Sequence, residues 1–234
     1  MKKLAFICFI LVSIHARADL LITQLVEVGG QSQTMTSKIK GDMVRTDIAA
    51  QLSSITNTTS GDVIMMMHEQ KNFVKITAAQ TKELMDKVQA MNPPKGAQPT
   101  ERPLPVTTGK KEKVNDYDTE VFTAETPTMK FTYWVSKDYP NGAAVQQQMK
   151  KLQDSMQSKI GSSINSIPDI SKLPGLPLKT EMVTGGNTTT TTLVSVKDAP
   201  IDAADFQVPA DYKETHIPGI NAPAAAAPAA ATAP

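Results

Sequence analysis

The chain has little of what usually carries chemistry. Its 234 residues include one cysteine, one tryptophan and three histidines, and aromatics make up only 5%. With Cys8 alone, no disulfide can close within the chain and no Cys-based zinc spacing exists. No HExxH pair, Gly-x-Ser-x-Gly elbow or phosphate-binding loop occurs. Charge is nearly balanced, with 24 Lys+Arg against 23 Asp+Glu, and no basic stripe interleaved with aromatics is seen. Nucleic acid is therefore not an expected partner. These absences predict a protein that is not an enzyme and needs no cofactor.

What is present begins with an address. Met1-Lys-Lys is followed by an apolar run, Leu4 to Ile14, and then by Ala16-Arg17-Ala18. A basic start, a short apolar stretch and an A-x-A site predict a secretory signal peptide over residues 1–18. The run falls short of the ~20 residues a membrane-spanning helix needs, so no transmembrane segment is expected in the mature chain. Cys8 lies inside the apolar run, where a lipoprotein cysteine would not be. Cleavage before Asp19 removes Lys2, Lys3 and Arg17 and no acid. It leaves 21 basic against 23 acidic residues, about −2. A periplasmic or secreted product is expected.

From Leu20 the chain reads as alternating β-runs between turns. Leu20–Val28 stops at Gly29-Gly30. Thr34–Lys40 and Met43–Ile48 flank Gly41-Asp42, and Asp62–His68 and Phe73–Thr77 flank a polar turn. Ser53 to Gly61 reads as a polar segment between them. Thr77-Ala-Ala-Gln80 has capping-box spacing and opens a helix whose Leu84, Met85, Val88 and Met91 share one face. Asn92-Pro93-Pro94 ends it, and 92–105 reads as a Pro-rich connector. A strand is expected around Val114 to Thr123 and another at Met129–Ser136. The second has Met129, Phe131, Tyr133 and Val135 on one face. A helical insert, 141–172, follows. Its Val145, Met149, Leu152, Met156 and Ile160 form an amphipathic stripe. Leu176–Thr184 and Thr189–Val196 around Gly185-Gly186-Asn187 read as a hairpin. Asp198 and Asp202 flank Pro200 and suit turn and capping roles. The end of the chain, 214–234, is rich in alanine and proline and reads as a disordered tail.

Met65-Met66-Met67-His68 is the sharpest cluster of potential ligands. Thioethers and imidazole suit Cu(I), so Met65, Met67 and His68 form an alternative metal site. Strand alternation opposes it, because Met65 and Met67 point one way and Met66 and His68 the other.

Gly175-Leu-Pro-Leu-Lys179, the hairpin after it, and the closing Asp202…Phe206-Gln-Val-Pro-Ala-Asp-Tyr-Lys213 resemble a family of exported bacterial proteins, the domain of unknown function 4412. In outline the chain is also similar to the periplasmic lipoprotein-carrier superfamily (LolA/LolB-like). There, a Trp-containing strand precedes a Gly-Leu-Pro strand, here Tyr133-Trp134-Val135-Ser136 and Gly175-Leu176-Pro177. The residues alone predict an α+β fold over 19–213, with a curved antiparallel sheet and two amphipathic helices on its concave face. The resemblance implies the same half-barrel.

The leading expectation for function is an exported carrier of an apolar ligand, a lipid or acylated chain. Its cavity is expected between Phe131, Tyr133 and Leu178 on the sheet and Leu84, Val88, Met149 and Leu152 on the helices. The methionine-rich faces suit an adaptable lining. The rivals are an envelope protein-interaction module, with an envelope protein as partner, and the Cu(I) binder.

Overall fold

The computed structural model describes residues 19–91, 102–126, 128–160 and 167–216; side chains at 85, 88–91 and 155–160 are not described. The signal peptide 1–18, most of the connector and nearly all of the tail lie outside the described residues.

Alternation of apolar and polar residues produces strands wherever a turn signal breaks the run. In chain order these are β1 (Leu20–Val28), β2 (Gln31–Lys40), β3 (Met43–Ile48), β4 (Leu52–Asn57), β5 (Val63–Met67) and β6 (Asn72–Ile76). Helix α1 (Ala78–Met91) leads away from this meander. A second meander follows, with β7 (Val106–Val114), β8 (Tyr117–Glu125), β9 (Met129–Ser136), β10 (Leu176–Thr184) and β11 (Asn187–Asp198). Helix α2 (Gly142–Ile160) lies between β9 and β10, and a short β12 (Lys213–Glu214) ends the described chain.

All twelve strands form one open sheet in the order β12-β6-β5-β4-β3-β2-β1-β11-β10-β9-β8-β7. Every pairing is antiparallel except that of β12 with β6. The two meanders join where β1 pairs with β11, Ile22 opposite Val196. The hairpins on either side of this seam close on Gly29-Gly30 and Gly185-Gly186, all four with positive φ. Such turns match the twist of the strands they join, and glycine reaches them without Cβ strain.

Two expectations need correction. Ser53 to Gly61 is not simply a polar spacer, since Leu52–Asn57 is β4, in register between β3 and β5. Ser53 is buried on it, with its hydroxyl bonded to Asp47 and His68. The run expected from Val114 to Thr123 is split by a turn at Asn115, whose φ is 54°. Val106–Val114 forms a separate edge strand. That strand, Val-Thr-Thr-Gly-Lys-Lys-Glu-Lys-Val, is exposed along almost its whole length, so no apolar alternation marks it.

Thr77 and Gln80 form the expected capping box: Gln80 N–H donates to Thr77 Oγ1 (3.2 Å) and Thr77 N–H to Gln80 Oε1 (2.8 Å). Because β9 and β10 are hydrogen-bonded neighbours, α2 leaves and re-enters the sheet at one place. It therefore lies back over one face, with Val145 and Met149 packed on Ile22, Ile39, Leu178 and Leu193. Helix α1 runs beside α2.

The opposite face is covered by the chain after β11. There Phe206, Val208 and Tyr212 pack on Ile55, Met66 and Phe73. Lys38 Nζ to Asp205 Oδ1 (2.6 Å) and Arg45 Nη1 to the Asp205 carbonyl (2.9 Å) fasten this strap to β2 and β3. No helix among the described residues is long and apolar enough to cross a membrane.

Candidate functional site

Between α2 and the sheet lies a cavity of about 290 Å³. Its floor comes from inward residues of five adjacent strands: Ile22 of β1, Met35 and Ile39 of β2, Val44 of β3, Leu176 and Leu178 of β10, and Leu193 of β11. Strand register brings these together, with Ile39 facing Val44 and Gln24 facing both Met35 and Leu193. Val145, Met149 and Leu152, one helical face of α2, form the roof. Ser37, Thr46, Thr180 and Thr191 also line the space, and their short side chains leave room a leucine would fill. Ser37 Oγ and Thr46 Oγ1 satisfy each other at 3.1 Å, so this polarity needs no ligand.

Among the described residues, Lys151 of α2 is the one charged residue lining the cavity. Its ammonium forms an ion pair with Asp42 in the β2–β3 turn, across the space between helix and sheet. Asp42 is itself held: Thr59 Oγ1 donates to its carboxylate (2.8 Å) and Thr58 N–H to its carbonyl (2.8 Å).

The other flank of α2 is tied by neutral hydrogen bonds. Gln146 Nε2 donates to the Leu173 carbonyl (2.8 Å) and Gln153 Nε2 to the Pro168 carbonyl (3.0 Å). Arg102 fixes the same loop, its Nη2 reaching Pro168 O (2.6 Å) and its Nε reaching Ile167 O (3.0 Å).

Of the residues expected to line a cavity, Met149, Leu152 and Leu178 meet around this one. Phe131 and Tyr133 do not. They stack with rings 6.2 Å apart in a separate cluster with Phe122, Val135 and Leu173. Burial pushes the Tyr133 hydroxyl well above the ordinary tyrosine value and keeps it neutral. Phe131 and Tyr133 lie on the expected face but one strand too far from the seam, where the loop ending at Leu173 covers them. Leu84 is half-buried on α1 and lines no part of the cavity. The side chain of Val88 lies outside the described residues. Ile22, Met35, Ile39, Val44 and Leu193 line the cavity beyond the residues expected there. Alternation on β1 to β3 was the available signal, but only the β1–β11 pairing tells which strands face α2.

The methionine cluster divides as expected. Met65 pairs with Ser54, whereas Met66 is fully buried on the other face, beneath the strap. Both ring nitrogens of His68 have protein partners: Nε2 lies 2.6 Å from Ser53 Oγ and Nδ1 2.5 Å from Tyr212 Oη. Ser53 Oγ donates to Asp47 Oδ1 (2.5 Å), which also receives Arg45 Nε (2.7 Å). The serine proton thus goes to the aspartate and not to the histidine, and Ser53 is buried. A nucleophilic triad needs the reverse arrangement. Among the described residues no group of three or more His, Cys, Asp or Glu side chains could hold a metal ion.

The architecture is an open, mostly antiparallel sheet with a helix-roofed apolar cavity on one face and a polar-pinned strap on the other. The chain belongs to the family described as a domain of unknown function (DUF4412), which matches residues 20–212. No curated protein matches it. Among solved structures, PNGF-II is similar at 12% identity over 85% of this chain, with a TM-score of 0.39. The MucA/MucB complex of Pseudomonas aeruginosa is similar at 10% identity over 84%, TM-score 0.39. A DUF1329 family protein from Desulfovibrio piger is similar at 12% identity over 83%, TM-score 0.34. The chain spans 31% of the PNGF-II chain, 57% of the chain matched in the MucA/MucB complex and 91% of the DUF1329 protein.

Proposed function

We propose that the protein is an exported, non-enzymatic binding protein that holds an apolar ligand, a lipid or acylated chain, under α2. In this reading the sheet curves around the helices as a half-barrel, and the cavity occupies its concave face. The supporting observation is the cavity itself. A space of about 290 Å³ lined mainly by apolar side chains is an unusual thing to leave beside a packed core. Ligand sites have this make-up, apolar walls with a few polar groups. Two methionines, Met35 and Met149, add a lining that adapts to its contents.

A neutral fluorescent probe, N-phenylnaphthylamine, tests the reading. Wild-type protein should enhance its emission in a saturable titration. Val44→Phe should fill the cavity, leave the thermal midpoint within a few degrees and abolish the enhancement. Overpacking a filled core instead costs ~1–3 kcal/mol. A strongly destabilised Val44→Phe, with no probe binding by wild type, would mark the space as ordinary core and favour an envelope protein-interaction module.

A further inference from the structure

We infer that the ligand is a single acyl chain with an anionic headgroup, carboxylate or phosphate, and that Lys151 selects it by exchanging Asp42 for that headgroup. The inference rests on the binding function proposed above and adds the ligand's chemistry.

Size sets the chain number. At about 30 Å³ for a water-sized group, comparable to a methylene, 290 Å³ accommodates ~10 such groups. That matches the bulk of one acyl chain.

Charge sets the headgroup. Among the described residues, Lys151 is the one ionised side chain lining an otherwise neutral cavity, and its own side chain is 39% exposed. It therefore stands at the border between apolar lining and solvent, where the head of an inserted chain would be. A lysine there gives a fixed cation with a flexible stem, able to turn from one oxygen anion to another.

The two flanks of α2 are built differently. At 100° per residue, Gln146 and Gln153 lie on one side of the Val145–Met149–Leu152 stripe and Lys151 lies on the other. The glutamine side is stitched to backbone carbonyls of the 168–173 loop. On the Lys151 side, the ion pair to Asp42 ties α2 to the β2–β3 turn. Neutral hydrogen bonds to a pinned loop make a hinge, and a half-exposed ion pair makes a latch, because its partners lose little when each is solvated. Asp42 is held in place by Thr58 and Thr59, so opening moves Lys151 with the helix and leaves the aspartate behind. An acyl chain entering on this flank meets the freed ammonium first. An anionic head replaces the Asp42 carboxylate in the same charge-assisted bond, whereas an alcohol head leaves the latch and the ligand competing for nothing.

Competition against bound N-phenylnaphthylamine separates these cases, with dodecanoate, dodecyl phosphate and dodecanol as competitors at pH 8. For wild type, at least one of the two anions should displace the probe at a concentration severalfold below dodecanol, less than the tenfold or more of a full hydrogen bond to a charged group because the Asp42 bond is given up in exchange. Which anion leads identifies the headgroup. Lys151→Gln should erase the gap while dodecanol displaces unchanged, which also shows that the variant is folded. Lys151→Arg should retain the preference, and Asp42→Asn, lacking the competing charge, should widen it. Equal displacement by all three competitors in wild type overturns the inference while leaving the binding function intact, as does a gap that persists in Lys151→Gln. If neither the probe nor dodecanol binds wild type, both fall together.

Discussion

Single positions decide how closely the elements meet. Gly175 opens the approach to β10, in the Gly175-Leu-Pro motif, and a Cβ there would overlap the Ser136 carbonyl of β9. Its φ is not in the left-handed region, so the requirement is space and not backbone freedom. Backbone cannot move aside as a flexible side chain can. Gly175→Ala should therefore destabilise by about 1–3 kcal/mol, read as a lower urea midpoint with unchanged slope. Met66 shows the same scale from the apolar side. It is fully buried, under Phe206, Val208 and Tyr212, and is part of the core.

At the scale of elements, the segment after β11 behaves as a strap fastened largely by carboxylates. Asp19 accepts from Lys40 Nζ (2.8 Å) and from the Ile201 N–H (3.1 Å), joining the start of β1 to the strap. Further along, Lys71 pairs with Asp211 (2.8 Å) and Lys75 with Glu214 (3.1 Å), beside the β12–β6 pairing. The hydrogen bond from Lys40 holds the Asp19 carboxyl below the ordinary carboxylate range, against the opposing effect of burial. The bond from Lys71 does the same for Asp211. In the unfolded chain both return to ordinary values. A depressed carboxylate thus adds stability above about pH 4, and that stability is lost as pH falls through the folded value. The thermal midpoint should decline between pH 5 and pH 2, followed by circular dichroism. Asp19→Asn should lower the midpoint at pH 7, by the ~1 kcal/mol or less of a part-exposed pair, and flatten the acid decline. An unchanged acid slope in that variant would assign the decline to other groups.

The whole molecule is an open sheet with two edges, and each is managed. The β6 edge is covered where β12 adds to it. The β7 edge is exposed, interrupted at Gly109 and loaded with Lys110, Lys111 and Lys113, features that discourage pairing with another chain. At this scale belongs the export prediction. Fractionated cells should yield a soluble protein whose N-terminal sequence begins at Asp19, so that a residue bonded to both Lys40 and the strap is the first of the mature chain. Recovery of the intact Met1 form in membranes would refute it.

Local pattern alone determined much of this protein. Strand alternation and glycine turns located most strands, Met129–Ser136 to the residue. The capping box and the Val145–Met149–Leu152 stripe located both helices. These signals are legible because turn, cap and amphipathic face are set by neighbours within a few residues. Long-range pairing decided the rest. β1 pairs with β11 across more than 160 residues, and only that seam places Ile22, Ile39 and Leu193 under α2 while leaving Phe131 and Tyr133 in another cluster. The strap that hides Met66, the serine and histidine it locks, and the Lys151–Asp42 pair all join segments far apart in sequence. No local periodicity encodes such contacts, because they depend on which faces the folded sheet brings together.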